Sequence, residues 1–205
     1  MKTAWILLMA GCGFQSRATA VDSPGAVDAA PAPPDVGVSL ASCPASYNIT
    51  TLPGPSRYRL IDNGARACEQ SDACNQDAPA ATHLVVIETP EELAAVKAFV
   101  QKPGVGLAGN ALWIGAVQPI TAITPSDGWI GFDGKPLING WSGGEPNDRG
   151  GTESNHEEQF VKMQPDKPYF IDTAGTDILS VLCECDGKPI DPTAASLVDG
   201  YRPPP

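Results

Sequence analysis

Residues 118–177 are written mostly in turn residues, yet Trp129, Phe132, Trp141, Phe160, Tyr169 and Phe170 are scattered through them. A stretch that long with little regular structure is uncommon unless it is functional or disordered. Disordered chain is poor in aromatics, so this segment reads as an ordered, loop-rich layer. It needs a regular body to pack against, and the flanking sequence supplies one. Residues 63–75 show a helical pattern that carries Cys68 and Cys74. Thr89-Pro90-Glu91-Glu92 predicts a second helix, with Thr89 as cap, Pro90 at the first helical position and Glu92 completing a capping box. Leu93, Val96, Phe99 and Val100 form its apolar face, and Gly104 and Gly106 close it. Short strands are expected at 47–51, 58–61, 84–87 and 112–116, with closing strands at 160–163 and 180–184.

Within the loop-rich layer the densest supply of oxygen side chains starts at Gly143-Gly144-Glu145-Pro146-Asn147-Asp148. In extended backbone, residues two apart point the same way, so Glu145 and Asn147 aim at one point. The X-Pro bond between them is the one place where a cis peptide is cheap. Glu153, Asn155, Glu157, Glu158 and Asp172 add further oxygens downstream. Calcium takes about six to eight oxygen ligands from carboxylates, amides, carbonyls and water. By themselves, the six residues also suit an ordinary polar turn.

Thirteen basic residues stand against 24 acidic ones, a net charge of -11. That balance argues against nucleic acid and against anionic membrane surfaces as partners. It suits a cation, although solubility explains acidity equally well. The apolar fraction of 42% supports a core for one domain with extensions in a chain of 205 residues. The six cysteines show no paired C-x-x-C zinc spacing, and an exported chain would use them as disulfides.

Residues 1–12 read as an export signal, with Lys2 followed by a short apolar run. Met9-Ala10-Gly11-Cys12 resembles the lipobox of bacterial lipoproteins, which implies cleavage before Cys12 and lipid on that residue. An ordinary signal peptide with Cys12 incidental is the plainer reading. Gly13 suits sorting to an outer membrane or cell surface. Residues 13–42 are rich in Ala, Pro, Asp, Val and Ser, which cannot bury enough surface to fold. As a proline-rich tether they reach about 90 Å. The folded domain is expected over 43–186, with a polar tail at 187–205.

The ordered combination now resembles a known family. Cys74, His83-Leu84, the capped second helix, Trp113-Ile114-Gly115, Asp133-Gly134, Trp141, Glu145-Pro146-Asn147, Glu158-Gln159-Phe160-Val161 and Leu182-Cys183-Glu184 succeed one another as in C-type lectin-like domains. The resemblance implies an α+β fold: two helices with small antiparallel sheets and a long loop-rich region. It implies calcium held by Glu145, Asn147, Glu158 and Asp172, with Pro146 cis and Glu157 as the alternative to Glu158. The same four residues would bind a carbohydrate through two neighbouring hydroxyls. The Glu-Pro-Asn order goes with mannose-, glucose- or fucose-like sugars. It also implies a Cys74–Cys183 disulfide and brings the two ends of the domain together, which suggests Cys43–Cys185. Cys68 is then left over, and Cys43–Cys68 is a rival pairing.

Two departures matter. The position of a family Asn ligand falls on Ile171, which has no oxygen side chain and counts against sugar binding. The family's inner disulfide falls on Phe160 and Gly175, so a bond worth about 3 kcal/mol in the chain-entropy account is missing. The loop must then lean on aromatics and calcium. Trp113, Trp129 and Trp141 read as core, His83 as structural, His156 as a solvated loop residue and Tyr169 as a rim contact. The chain has no Gly-x-Ser-x-Gly elbow, His-Glu-x-x-His or phosphate loop, so it reads as a binding module and not an enzyme. The alternative to sugar binding is a lectin-like domain that binds protein or serves structurally.

Overall fold

The computed structural model describes residues 42–149 and 157–202. Its framework is one strand, β7 (Leu179–Cys185), every residue of which is buried. The apolar run of this strand suits a position with neighbours on both edges. β1 (Arg57–Ala65) pairs with it antiparallel, from Arg57 opposite Cys185 to Ala65 opposite Leu179. On the other edge lie β2 (Thr82–Leu84), antiparallel, and β3 (Leu112–Val117), parallel. β4 (Ile130–Gly131) and β5 (Phe160–Met163) pair with β3, and β6 (Ile171–Thr173) pairs with β5. The sheet is therefore mixed, not purely antiparallel as expected, because β3 enters beside β7 in the same direction.

Alternation along β3 divides the core. Leu112, Ile114 and Ala116 face the cluster formed with α2 (Pro90–Val100), whereas Trp113 and Val117 face the cluster formed with α1 (Ala67–Asp77). Gly115, between them, lets the chain pass close: a Cβ there would lie 2.7 Å from the carbonyl oxygen of Leu84. The Gly115 amide donates instead to Val85 O at 2.8 Å, and Val85 N donates to Leu182 O at 2.8 Å. Residues 85–87 are thus buried as expected, but they bridge β7 and β3 outside a regular strand.

Several local expectations are displaced by neighbouring elements. The helix expected from residue 63 begins at Ala67, because residues 63–65 complete β1. Gln70 Nε2 holds that junction by donating to Asn63 O and Leu179 O. The strand expected at 47–51 is a single bridge, Ile49 to Tyr58, cut short by Pro53-Gly54-Pro55, where Gly54 has φ +89°. Thr89 caps α2 by accepting from Glu92 N at 3.1 Å. The Glu92 carboxylate does not close a box on Thr89; it accepts from Glu88 N and from the Tyr58 hydroxyl. The helix ends at Val100, before the glycines expected to close it.

The segment read as a polar tail carries α3 (Pro192–Gly200). Asp191 Oδ1 caps it by accepting from Thr193 N and Ala194 N, and Pro192 occupies its first turn. Ala194 and Val198 are buried in the α1-side cluster. Asp-Pro at a helix start is the sequence signal for it.

Cys43 is bonded to Cys185 and Cys74 to Cys183, the pairs that the family resemblance implies. Cys68 is free and buried, so the rival Cys43–Cys68 pairing does not form. Cys12 and the tether lie outside the described residues, except for Ser42.

Candidate functional site

The sheet delivers the site from below. β6 is paired through Val161 opposite Asp172, and Asp172 is only 3% exposed. The loop above it is clamped by backbone bonds: Phe170 N donates to Gly140 O and Ser142 N donates to Phe170 O, each at 2.9 Å. Gly140 is required there, since a Cβ would meet the Phe170 ring at 2.7 Å and Leu93 at 2.8 Å. Trp129, Trp141 and Phe170 stack edge to face beneath the loop, with centroids 5.0 and 5.8 Å apart. Trp129 Nε1 donates to Pro125 O and Trp113 Nε1 to Ala65 O, so both act as core residues.

From this base the chain turns at Gly144 (φ +92°), and Glu145 N donates to Ser142 O. The Glu145–Pro146 bond is cis. The side chains of Glu145 and Asn147 meet, the Asn147 amide donating to Glu145 Oε2. Asp172 Oδ2 accepts from Asn147 N at 2.8 Å and from Asp148 N at 2.7 Å. One carboxylate oxygen on the sheet thus fixes the backbone of the Glu-Pro-Asn turn. Its other oxygen, Oδ1, is buried without a donor.

Asp148 works the other way. It is 1% exposed, and its Oδ1 accepts from Glu157 N at 3.2 Å and Glu158 N at 3.0 Å. Glu158 Oε2 in return accepts from Arg149 N at 2.6 Å. These reciprocal bonds tie Glu158 to the end of the Glu-Pro-Asn turn, and the alternative ligand, Glu157, is turned towards Arg149 with its side chain half exposed. Glu153, Asn155 and His156 lie outside the described residues. In the sequence Asp148 is one more oxygen and Asp172 a ligand; their service as acceptors for distant backbone amides joins residues up to 25 apart and has no local signature.

The electrostatics are those of crowded like charges. Burial first, then the neighbouring Asp172 carboxylate, push the Glu145 carboxyl up to about 7 against the pull of Asn147, with Glu158 adding to the rise. Burial also raises Glu158, with the charges of Asp172 and Asp148 adding to it and the Arg149 amide and charge opposing. Among the described residues, no lysine or arginine pairs with Glu145 or Asp172. The same residues include no cluster of three His, Cys, Asp or Glu side chains drawn tightly enough to hold a metal as they stand. The donor set is nonetheless all oxygen, which fits a hard cation, and Asp172 Oδ1 is the buried oxygen that such an ion would satisfy. Ile171, half-buried in β6 opposite Lys162, contributes no side-chain oxygen.

Tyr169 is exposed, and Lys97 Nζ lies 3.5 Å from its ring centroid. His83 is structural, with Nδ1 at 2.7 Å from Leu84 O and Nε2 at 3.2 Å from Asp186.

No family model and no curated protein matches the sequence. Solved structures do match in fold. The C-type lectin CEL-I from Cucumaria echinata aligns at 18% identity with a TM-score of 0.54, covering 69% of this chain and 96% of that one. The C-type carbohydrate-recognition domain of cow CD23, solved in the presence of an oligosaccharide, aligns at 22% identity with a TM-score of 0.51, covering 69% and 94%. A calcium-independent type II antifreeze protein aligns at 19% identity with a TM-score of 0.53, covering 69% and 92%. The disulfide that ties α1 to β7, the mixed sheet and the clamped loop above it, together with these alignments, give this chain the fold of a C-type lectin-like domain.

Proposed function

We propose that the domain binds carbohydrate in a calcium-dependent way, the ion being held by Glu145, Asn147, Glu158 and Asp172. The observation that supports this most is the meeting of Glu145 and Asn147 across a cis proline, above a buried Asp172 oxygen that no donor satisfies. A cation there relieves the repulsion among Glu145, Glu158 and Asp172. It also leaves carboxylate and amide groups free to meet two sugar hydroxyls, the carboxylates accepting and Asn147 also donating. Mannose-, glucose- or fucose-like sugars are the expected class. A sugar on an open face binds weakly, so affinity would come from several copies. The chain is proposed to be exported and lipid-anchored at Cys12, with residues 13–42 holding the domain off an outer membrane or cell surface.

A second reading has its own support. Ile171 takes an oxygen ligand away, and the fold neighbours include a calcium-independent protein. On that reading the domain binds protein or serves structurally. A calcium titration followed by thermal shift, then a glycan array run in calcium and again in EDTA, separates the two. Calcium-dependent signals on the array support the first; a calcium shift with a silent array supports the second; no shift at all removes the metal and most of the sugar reading.

A further inference from the structure

His83 lies in β2 directly opposite Glu184 of β7 and is only 2% exposed. Its ring stands between two oxygens, with Nδ1 at 2.7 Å from Leu84 O and Nε2 at 3.2 Å from Asp186 Oδ1. A carbonyl and a carboxylate only accept, so both ring nitrogens have to donate, and the ring that satisfies both contacts is the imidazolium. A neutral ring sets a lone pair against one of the two oxygens. The ring also edges a cavity of about 320 Å³, which gives water access to its proton. Asp133, Lys135, Lys188 and Asp191 line that cavity. Lys135 is taken up by Glu88 at 2.6 Å and Asp133 at 2.9 Å, Lys188 by Asp186 at 3.0 Å, and Asp191 by the first amides of α3. Burial works against a charge on His83, but the Asp186 bond and the Glu184 charge outweigh it, so the ring holds its proton above the usual 6.5.

Asp186 is where the chain leaves β7, and it heads a turn that shapes itself. Lys188 N donates to Asp186 Oδ1 at 2.8 Å, Lys188 Nζ lies 3.0 Å from Oδ2, and Gly187 has φ +78°. The turn is fastened to β2 by the His83 contact and to the residue before β2 by Gly187 N, which donates to Ala81 O at 3.2 Å. From there the chain runs through Asp191, whose N–H donates to Phe132 O, into α3.

We propose that His83 is a proton-operated latch on the connection between β7 and α3. Charged, it ties the turn at 186–188 to β2. On losing a proton to water it keeps the shorter bond to Leu84 O, faces Asp186 with a lone pair and lets the turn loosen. The Lys188 contacts then hold the shape of the turn but not its place, since both partners belong to it. The sign follows from linkage: a ring that binds its proton more tightly in the folded chain stabilises the fold fully below 6.5, and that stabilisation is lost as pH rises through the folded value. The latch needs no metal and does not involve the Glu-Pro-Asn turn.

The full chain, kept in EDTA, is followed by NMR from about pH 6 to about pH 9. At the acid end both His83 ring nitrogens should carry a proton. Across the titration the protection of the Gly187 amide, corrected for the base catalysis of exchange, should fall by roughly tenfold, while that of the Gly115 amide in the sheet holds. His83→Gln should show weak Gly187 protection throughout, without the step. Asp186→Asn leaves the ring in place and removes its charged partner, so it should move the His83 midpoint and the Gly187 step together to lower pH. A single protonated ring nitrogen at the acid end, level Gly187 protection across the range, or a step that stays put in either variant overturns the proposal. The EDTA condition keeps this outcome separate from that of the calcium reading.

Discussion

The ring of Phe160 lies against Gly175: a Cβ built on the glycine would sit 2.5 Å from Phe160 Cε2 and 2.7 Å from Cδ2. These are the two positions where the family resemblance places an inner disulfide. A ring seated on a bare backbone thus takes the place of a covalent link between β5 and the turn after β6. The turn is held further by Ala67 N, which donates to Gly175 O at 3.0 Å. Gly175→Ala should destabilise the domain by about 1–3 kcal/mol in urea unfolding, the usual cost of overpacking. Phe160→Leu in the same background should recover part of it. An unchanged midpoint for Gly175→Ala would mean that the contact bears no strain.

Tyr201 supports the same region from α3, donating its hydroxyl to Gln118 O at 2.9 Å while its ring packs on Phe160. Tyr201→Ala should cost about 2 kcal/mol, from lost packing and a lost hydrogen bond. Truncation after Asp186 should cost more, since Ala194 and Val198 are buried. If truncation leaves the thermal midpoint in place, α3 is an appendage and not part of the core.

Asp172→Asn separates backbone support from charge. The amide oxygen of asparagine can still accept from Asn147 N and Asp148 N, while the repulsion towards Glu145 and Glu158 falls. In EDTA the variant should therefore match or exceed the parent in thermal stability. In millimolar calcium the parent should gain stability and the variant should not. Equal calcium shifts in both would take Asp172 out of the proposed ligand set.

Glu92 and Glu184 share the Tyr58 hydroxyl, at 3.1 and 3.4 Å. One hydroxyl proton cannot serve two buried carboxylates fully. Burial, opposed by the Glu88 amide and reinforced by the charge of Glu184, pushes Glu92 from 4.5 up to about 7. Burial likewise raises Glu184. A carboxyl whose pKa is higher in the folded state binds its proton more tightly there, so its ionisation opposes folding. The penalty is absent below the unfolded value and grows as pH rises from 4.5 to about 7. Glu92→Gln should thus be more stable than the parent at pH 8, with the gap closing towards pH 5. His83 titrates in both chains and drops out of the difference. A gap independent of pH between 5 and 8 would show that Glu92 folds in its charged form.

Much of the fold is legible in the sequence because it is local. Thr89-Pro90 announces a capped helix, the apolar run at Leu112–Val117 a buried strand, and Glu145-Pro146-Asn147 a turn whose two flanking side chains meet across a cis proline. Other features depend on residues that only the fold brings together. Glu92 has the spacing of a capping box, but Tyr58 draws its carboxylate into the core. Asp148 looks like a surface ligand, yet it is buried to receive two amides from the far end of the loop. Proline and glycine at both ends hide α3, although Asp191-Pro192 marks its start.

Cys183 and Cys185 stand two residues apart on β7 and so point to the same side, where each is bonded to a different part of the chain. Traction applied upstream of Cys43 therefore reaches the central strand through sulfur before any rung of the β1 ladder is loaded. A domain wired in this way can be tugged from its leading end without being unzipped.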